Sequence, residues 1–388
     1  MRGYLANSCR RTTRFHRWEA PIGSIWRFPT TGCDPGALVL EDNLMLRRLS
    51  FLPFVLMAAS LELGAQDFPV TQGKTYKFQR IADGIYYATG GGGSNNVVIV
   101  NDRDVMLVDD GTTPAAARAF LEDIRLLTDK PVRYVVNTHF HYDHTDGNSV
   151  FAPDVDIIGH EYVRQAILTF DVLHREPYTT SQGTAVPARI ASLQKQMAEE
   201  RNADKKRELS SQLAAAQKTW QELQEVKPTP PNVTYSSRMI LHRGPREIQL
   251  LFLGRGHTAG DTVVFLPQER IVATGDLMES RLAYMGDAFF DEWVTTLEAL
   301  KQLNFAWVLP GHGAPFRDKG LITAFQSYLT DLTRQVTDLR RQGVSVEDAA
   351  KRVDLTAHAK DFPQIQGPGA DLRGVRRMYA WLEEKGAR

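Results

Sequence analysis

One short segment concentrates three imidazoles and a carboxylate within six positions, and this feature most constrains the chain. The segment follows an apolar run, 132–136, typical of a buried strand, and its ligand-type side chains are His139, His141, Asp143 and His144. Residues two apart in an extended loop point the same way, so the first two rings can meet at one ion. The next two side chains turn toward a second point nearby. The segment therefore predicts a metal centre at the end of a strand, and a single ion would use only part of it.

Three later segments each place one more ligand type after an apolar strand. They are 254–261, 274–277 and 310–313, which carry His257, Asp276 and His312. Both histidines lie among glycines, which let the backbone approach a metal site closely and adopt positive φ. Coordination explains a histidine in such a loop better than packing does. Each segment alone is weak, but together they indicate one shared centre.

The remaining pattern predicts two series of short strands, each followed by a helix. The predicted strands are 76–81, 85–88, 97–100, 105–108, 132–136, 248–253, 262–266, 271–273 and 308–309. Helices are predicted from Pro114 to about Leu127 and from about Asp291 to Leu303, since proline suits a first helical turn. This rhythm predicts an α/β fold, an αββα sandwich. Two mixed sheets would pack face to face, with helices on both outer faces and the metal site at one edge.

Two regions depart from that rhythm. A stretch at about 186–227 is rich in Gln, Lys, Glu and Ala with helical spacing, and predicts a two-helix insertion into a domain spanning 70–325. The insertion is either a solvated hairpin, which we favour, or a lid or a contact through which the chain forms a homo-oligomer. A helical extension, 326–388, is expected to pack over one sheet.

The N-terminal region predicts export. Met45 is followed by two arginines, an apolar run, 49–61, and small residues before Gln66, which is the pattern of a signal peptide, 45–65, cleaved after Ala65. We expect residues 1–44 to be a misassigned or disordered leader, and the mature protein to be periplasmic or secreted. The apolar run is too short to span a bilayer comfortably, so no stable membrane anchor is expected after cleavage.

Composition narrows the partners and the metal ligands. Lys and Arg number 46 and so do Asp and Glu, which gives no global field to favour nucleic acid and leaves a small molecule as the expected partner. The only two cysteines precede the expected cleavage site. The mature chain would therefore bind its metal through nitrogen and oxygen alone.

The order of these motifs resembles that of the metallo-β-lactamase-fold hydrolases, whose pattern is HxHxDH, a His in a GHT-like turn, an Asp, and a His in a GHG-like turn. Every position is filled here, and the resemblance covers roughly residues 76–325 without the insertion. It implies that His139, His141 and His257 bind one zinc ion. It likewise implies that Asp143, His144 and His312 bind the other, with Asp276 bridging both.

The resemblance also implies the cofactors and the chemistry. Two Zn²⁺ per chain are expected, although Fe or Mn could occupy the same ligands. A metal-bridging hydroxide would attack an ester, lactone, thioester or amide/β-lactam bond, assisted by Asp143 and Asp276 as catalytic groups.

Two alternatives remain beside this general hydrolase. One is a β-lactamase specifically, although the first class of those enzymes has Cys at the position of Asp276 and lacks the equivalent of His144. The other is an iron-dependent redox enzyme of the same fold, similar to persulfide dioxygenases, which use fewer of these ligands.

Four residues are candidate substrate contacts: Asn95, Tyr142, Arg281 and Tyr284. Asn95 follows a glycine run, 90–93, that is either a mobile flap over the site or a flexible hairpin turn. Arg281 could pair with a substrate carboxylate.

Overall fold

The computed structural model of the protein describes residues 68–151 and 153–386. The expected leader, 1–44, and signal peptide, 45–65, lie outside the described residues. Among the helices of the described ranges, none has the length and apolar character needed to cross a membrane.

The first sheet has eight strands whose spatial order follows the chain. They are β1 (Val70–Gln72), β2 (Lys77–Ala82), β3 (Ile85–Thr89), β4 (Asn96–Val100), β5 (Val105–Val108), β6 (Val132–Val136), β7 (Asp156–His160) and β8 (Val233–Tyr235). Strands β1 to β5 form an antiparallel meander, whereas β5 to β8 are parallel. Parallel neighbours need long crossover connections, which is why helices enter the chain at this point.

The second sheet has five strands in the order β13-β12-β11-β10-β9. They are β9 (Arg238–Arg243), β10 (Arg246–Leu251), β11 (Val263–Leu266), β12 (Ile271–Gly275) and β13 (Trp307–Pro310). Only β12 and β13 are parallel, so this sheet is also mixed.

Nine α-helices complete the described part of the chain. They are α1 (Pro114–Ile124), α2 (Tyr142–Thr145), α3 (Glu161–Thr169), α4 (Ala185–Glu199), α5 (Ala203–Gln224), α6 (Phe290–Gln302), α7 (Lys319–Arg341), α8 (Val346–Arg352) and α9 (Leu372–Gly386). The first begins at Pro114, and the Thr113 hydroxyl caps it by accepting a hydrogen bond from the Ala116 amide. It ends three residues before the predicted Leu127.

The two sheets pack face to face through one apolar core. Alternate residues of the first sheet, such as Ile85, Tyr87 and Val97, meet those of the second, such as Ile248 and Val264. Because successive strand residues point to opposite faces, the residues between them form a second set of buried side chains on the outside. Both faces of each sheet are therefore covered.

Helices cover the two outer faces, as the predicted αββα sandwich requires. On the first sheet, Phe120 and Ile124 of α1 pack against Phe78 and Leu107. On the second sheet, α6 to α9 contribute a larger cluster that includes Trp293, Leu329 and Trp381. The fold prediction is confirmed, and the C-terminal helices pack over one sheet as expected.

The predicted two-helix insertion corresponds to α4 and α5. Asn202 caps α5 by accepting hydrogen bonds from the amides of Asp204 and Lys205. A small apolar cluster, centred on Leu193 and Leu213, lies between the two helices. Most other side chains of the pair are exposed, which fits the solvated hairpin favoured from the sequence.

Candidate metal centre

The predicted ligands lie in loops at one edge of the sandwich. The segment 137–145 follows the carboxyl end of β6, and the His257 loop follows β10. Asp276 comes directly after β12, and His312 comes two residues after β13. Loops at the carboxyl ends of parallel strands meet at one sheet edge, which places segments from distant parts of the chain together.

Three imidazole nitrogens form the first donor group. His139 Nε2 lies 3.0 Å from His141 Nδ1, and His257 Nε2 lies 3.0 Å from the same atom. The three rings are buried, and their nitrogens are near enough to one another to hold a single ion. This is the trio that the family resemblance assigned to one metal.

A carboxylate and two imidazoles form the second donor group. His312 Nε2 lies 3.0 Å from Asp143 Oδ2, and His144 Nε2 lies 3.6 Å from the same oxygen. These atoms also group closely enough for one ion. The Asp143 and His312 side chains are 11% and 15% exposed, so the centre opens to solvent on this side.

Asp276 lies between the two groups. Its Oδ2 is 3.8 Å from His139 Nε2, 3.7 Å from His257 Nε2 and 3.5 Å from His312 Nε2. Its Oδ1 is 3.4 Å from His144 Nε2. The structure thus brings all seven predicted ligands together and places the predicted bridging carboxylate at the junction.

The donor set fits a pair of divalent ions. His144 Nε2 and Asp276 Oδ1 are buried side-chain atoms without a hydrogen-bond partner, although such atoms are almost always paired. Burial lowers the pKa of His257 to about 3, helped by the neighbouring charge of His141. Burial likewise holds the pKa of His139 well below its usual value. Both imidazoles are therefore neutral at neutral pH, which is the form that binds metal.

The His312 loop is held by the first sheet. The Tyr87 hydroxyl lies 2.9 Å from the Pro310 carbonyl oxygen and 2.8 Å from that of Gly313, so the two carbonyls share its one donated proton. The Asn95 amide N–H donates to the Gly311 carbonyl at 2.7 Å, and its side-chain Nδ2 donates to that of Gly313 at 3.2 Å. Asn95, predicted as a substrate contact, therefore uses its side chain to position the loop that carries a ligand.

The glycine run lies against the second donor group. Gly90, Gly92 and Gly93 all have positive φ, which disfavours other residues there. A Cβ at Gly93 would lie 3.3 Å from the Asp143 Cβ. The next residue, Ser94, donates its hydroxyl to the Asp143 carbonyl at 2.5 Å. The run is thus part of the wall of the site.

Two carboxylates that contact the outer ring nitrogens of ligand histidines were not predicted from the sequence. Asp109 Oδ2 lies 2.7 Å from His144 Nδ1, and Asp287 Oδ2 lies 2.9 Å from His141 Nε2. Such partners orient a histidine and fix its tautomer. Asp109 comes directly after β5, beside the motif-bearing β6, so its strand-end position was an available signal. Asp287 lies in a loop with no comparable pattern.

The other three predicted substrate contacts lie around the centre. The Tyr284 ring centroid is 5.5 Å from that of His141. The Tyr142 hydroxyl accepts a 3.5 Å hydrogen bond from Gln182, so this residue faces the segment before the insertion. Arg281 donates from Nε to buried Glu279 at 3.0 Å and is 49% exposed.

A cavity of about 510 Å³ is lined by Arg281 and Tyr284 and by residues of the C-terminal extension. None of the seven predicted ligands lines it. Buried Leu332 and Leu355 contribute apolar surface to this cavity, and Arg281 and Arg373 contribute polar surface. Two of the predicted substrate contacts therefore share one cavity.

The comparison with protein families agrees with this geometry. The model of the metallo-beta-lactamase superfamily matches residues 89–312, more than half of the 388 residues. The chain belongs to the metallo-beta-lactamase superfamily. The matched range of this superfamily member ends at His312 and contains all seven donor residues.

Curated relatives in the comparison carry different names. A 2,4-dinitroanisole O-demethylase subunit alpha from Nocardioides sp. (strain JS1661) is 24% identical over 267 residues, 68% of this chain and 65% of that protein. A metallo-beta-lactamase type 2 from Bacillus sp. (strain 170) is 38% identical over 85 residues, 20% of this chain and 33% of that protein. A linear primary-alkylsulfatase from Pseudomonas sp. (strain ATCC 19151) is 22% identical over 296 residues, 71% and 53% respectively. The chain spans between a third and about two thirds of the length of these relatives.

Two solved structures are also similar. A metallo-beta-lactamase from Pontibacter korlensis aligns over 68% of this chain and 99% of its own, with 19% identity and a TM-score of 0.44. A metallo beta lactamase from Erythrobacter litoralis aligns over 68% of this chain and 100% of its own, with 16% identity and a TM-score of 0.46.

Proposed function

We propose that this superfamily member is an exported hydrolase that uses two zinc ions to cleave an ester, lactone, thioester or amide bond of a small molecule. The observation that carries the proposal is the pair of donor groups joined by Asp276, whose oxygens lie 3.4 to 3.8 Å from four histidine nitrogens. Nitrogen and oxygen donors without thiolate suit Zn²⁺.

The residues of the centre divide the work among them. Zinc ions bound here would supply an activated water near neutral pH and would stabilise negative charge on the substrate. His139, His141 and His257 would hold one ion, and Asp143, His144 and His312 would hold the other. The Asp143 carboxylate, on the open side of the centre, would also orient the water. Asp276 lies between the two donor groups and would contribute to both sites.

The cavity beside Tyr284 is a candidate site for part of the substrate. At about 510 Å³ it falls in the usual range of small-molecule sites. Relatives named for a dinitroanisole, an alkyl sulfate and a β-lactam differ in the bond they act on. For this chain we favour an ester or lactone with a polar group near Arg281.

Two alternatives are less well supported. The support for a specific β-lactamase is the sequence match to a metallo-beta-lactamase type 2, which covers 20% of this chain. An iron-dependent redox enzyme with a mononuclear site would leave the second donor group unused, whereas here that group is complete. Metal analysis and a substrate panel distinguish both alternatives from the proposed hydrolase.

The test combines metal analysis with a substrate panel. Purified mature protein is assayed for bound metals and for turnover of lactam, lactone, ester and thioester substrates, before and after treatment with a chelator. We expect two zinc ions per chain, turnover of an ester or lactone, loss of turnover on chelation and recovery on adding Zn²⁺. A single bound iron, or turnover that survives complete metal removal, would contradict the proposal.

Matched histidine variants connect turnover to the centre. His141→Ala removes a buried donor and is expected to abolish turnover while the far-ultraviolet circular dichroism stays native. His174→Ala is the control, because this histidine is 78% exposed and pairs with Asp171 at the surface. Full activity in the His141→Ala protein would refute the assigned role.

A further inference from the structure

His141 has a different orientation from the other ligand histidines. It directs Nδ1 at the first donor group, whereas the other four direct Nε2. Its outer nitrogen, Nε2, lies 2.9 Å from Asp287 Oδ2. A neutral imidazole that binds metal through Nδ1 must carry its proton on Nε2. The Asp287 carboxylate is placed to accept that proton's hydrogen bond.

Asp287 is in turn held by a cation from a different part of the chain. Arg175 Nη2 donates to Asp287 Oδ1 at 2.6 Å, so the two carboxylate oxygens have one partner each. The Asp287 side chain is 14% exposed. A carboxylate with so little access to water would be costly to bury without its arginine.

Arg175 belongs to the bridging segment, defined as residues 170–184, which joins α3 to α4. Its guanidinium lies 5.4 Å from the Phe140 ring centroid and 4.8 Å from that of Phe170. Phe140 stands between the ligands His139 and His141. These contacts fix the guanidinium in place at the point where the bridging segment meets the ligand loop.

Asp287 cannot easily act as a ligand of the first ion itself. Its oxygen approaches His141 from Nε2, the side of the ring opposite to the nitrogen that faces His139 and His257. Its position is that of a partner behind the ligand.

We propose that Arg175 and Asp287 form a positioning relay that holds His141 in its metal-binding orientation and tautomer, so that the bridging segment before the insertion sets the affinity of the first metal site. The proposed relay depends on the part of the proposed function that concerns metal binding, and it does not depend on any particular substrate. Its test measures metal affinity, so the result is independent of which bond the protein hydrolyses.

The experiment compares four variants of the full mature chain. Asp287→Ala removes the acceptor, Asp287→Asn keeps its shape without charge, Arg175→Met removes the cation, and Arg175→Lys keeps it. Zn²⁺ affinity is measured by competition with a chromogenic chelator. The absorption spectrum of the Co²⁺-substituted protein, which reports ligand geometry, is recorded alongside.

Loss of a hydrogen-bond partner behind a metal ligand weakens metal affinity by about 10- to 100-fold. We expect this loss in Asp287→Ala with an altered Co²⁺ spectrum, and a smaller loss in Arg175→Met that Arg175→Lys partly restores. The double variant that combines Asp287→Ala with Arg175→Met should bind no more weakly than Asp287→Ala alone, because Arg175 acts through Asp287.

Glu269→Gln provides the control for a purely structural role. Glu269 pairs with Arg246 at 2.7 Å, both at 16% exposure or less, and Arg246 begins β10 at the end away from the His257 loop. This variant should lower the melting temperature without changing metal affinity.

The relay is overturned if Asp287→Asn and Arg175→Met, which preserve side-chain volume, also keep wild-type affinity and the wild-type Co²⁺ spectrum. It is equally overturned if the losses in the double variant simply add.

Discussion

Asp276 shows how much of the centre depends on a single side chain. It follows β12 directly and is buried, with four histidine nitrogens within 3.8 Å of its two oxygens. Burial raises the pKa of Asp276, but the neighbouring imidazoles of His312 and His144 outweigh this effect and hold the pKa well below its usual value. It is therefore ionised at neutral pH and ready to bind metal.

The first prediction concerns this carboxylate. Asp276→Asn keeps the size of the side chain but removes the charge that both donor groups share, so we expect fewer than two metals per chain and no measurable turnover. Metal analysis and the melting curve are measured together. Asp291→Asn is the control, since that carboxylate is exposed and pairs with Lys385. Two tightly bound metals in the Asp276→Asn protein would show that the bridge is unnecessary.

At the scale of secondary-structure elements, the loops that follow the strands fit the metal centre as closely as the ligand side chains do. The His312 loop passes so close to Asp276 that only glycine fits at position 311. A Cβ there would lie 2.3 Å from Asp276 Oδ1 and 2.9 Å from His144 Cε1. Tyr87 and Asn95 hold the same loop from the first sheet, so it cannot retreat without breaking their hydrogen bonds.

The second prediction follows from this close approach. Gly311→Ala should displace Asp276 and lower both metal content and turnover, with only a modest change in melting temperature, because the clash is confined to the centre. Gly386→Ala is the matched control, since a Cβ there meets nothing within 4 Å. Equal metal content in the two variants would mean that the loop moves aside freely.

At the scale of the whole molecule, the C-terminal helices are part of the sandwich. Phe325, Leu329 and Leu332 of α7 and Val375 and Met378 of α9 are buried in the cluster that covers the second sheet. Burying a side chain of this size contributes about 1.5 to 3 kcal/mol. Several such residues together exceed the net stability of a typical domain.

The third prediction is therefore that a chain ending at Asp318 does not fold. This truncated chain should be insoluble or lack a cooperative melting transition, because removal of residues 319–388 uncovers the outer face of the second sheet. As a control, residues 189–217 are replaced by a short Gly-Ser linker, which removes most of a hairpin that has its own small apolar cluster. The control should fold and keep its metals. Light scattering of the control also tests whether the hairpin forms a homo-oligomer.

Strand prediction from sequence succeeded for most of the buried strands and failed at the edge strands β1, β8 and β9 and at the interior strand β7. Strands β5 and β11 are buried and apolar throughout, so their pattern is visible without the fold. The unpredicted β9 is an edge strand with no fully buried residue, and half of its residues are polar. Such a strand is specified by its pairing with β10.

The sequence by itself determined the layered fold and the seven donor residues, because ligand side chains are few in kind and their loops carry glycine and strand signals. Only the tertiary structure decided which residues stand behind them: Asp287, Arg175, Asp109 and Tyr87. Asp109 follows a strand and so had a signal in the sequence, but any polar residue can donate or accept a hydrogen bond, and the other three roles leave no local pattern. The relay arises when the folded chain places the Asp287 carboxylate within 3 Å of both the His141 imidazole and the Arg175 guanidinium.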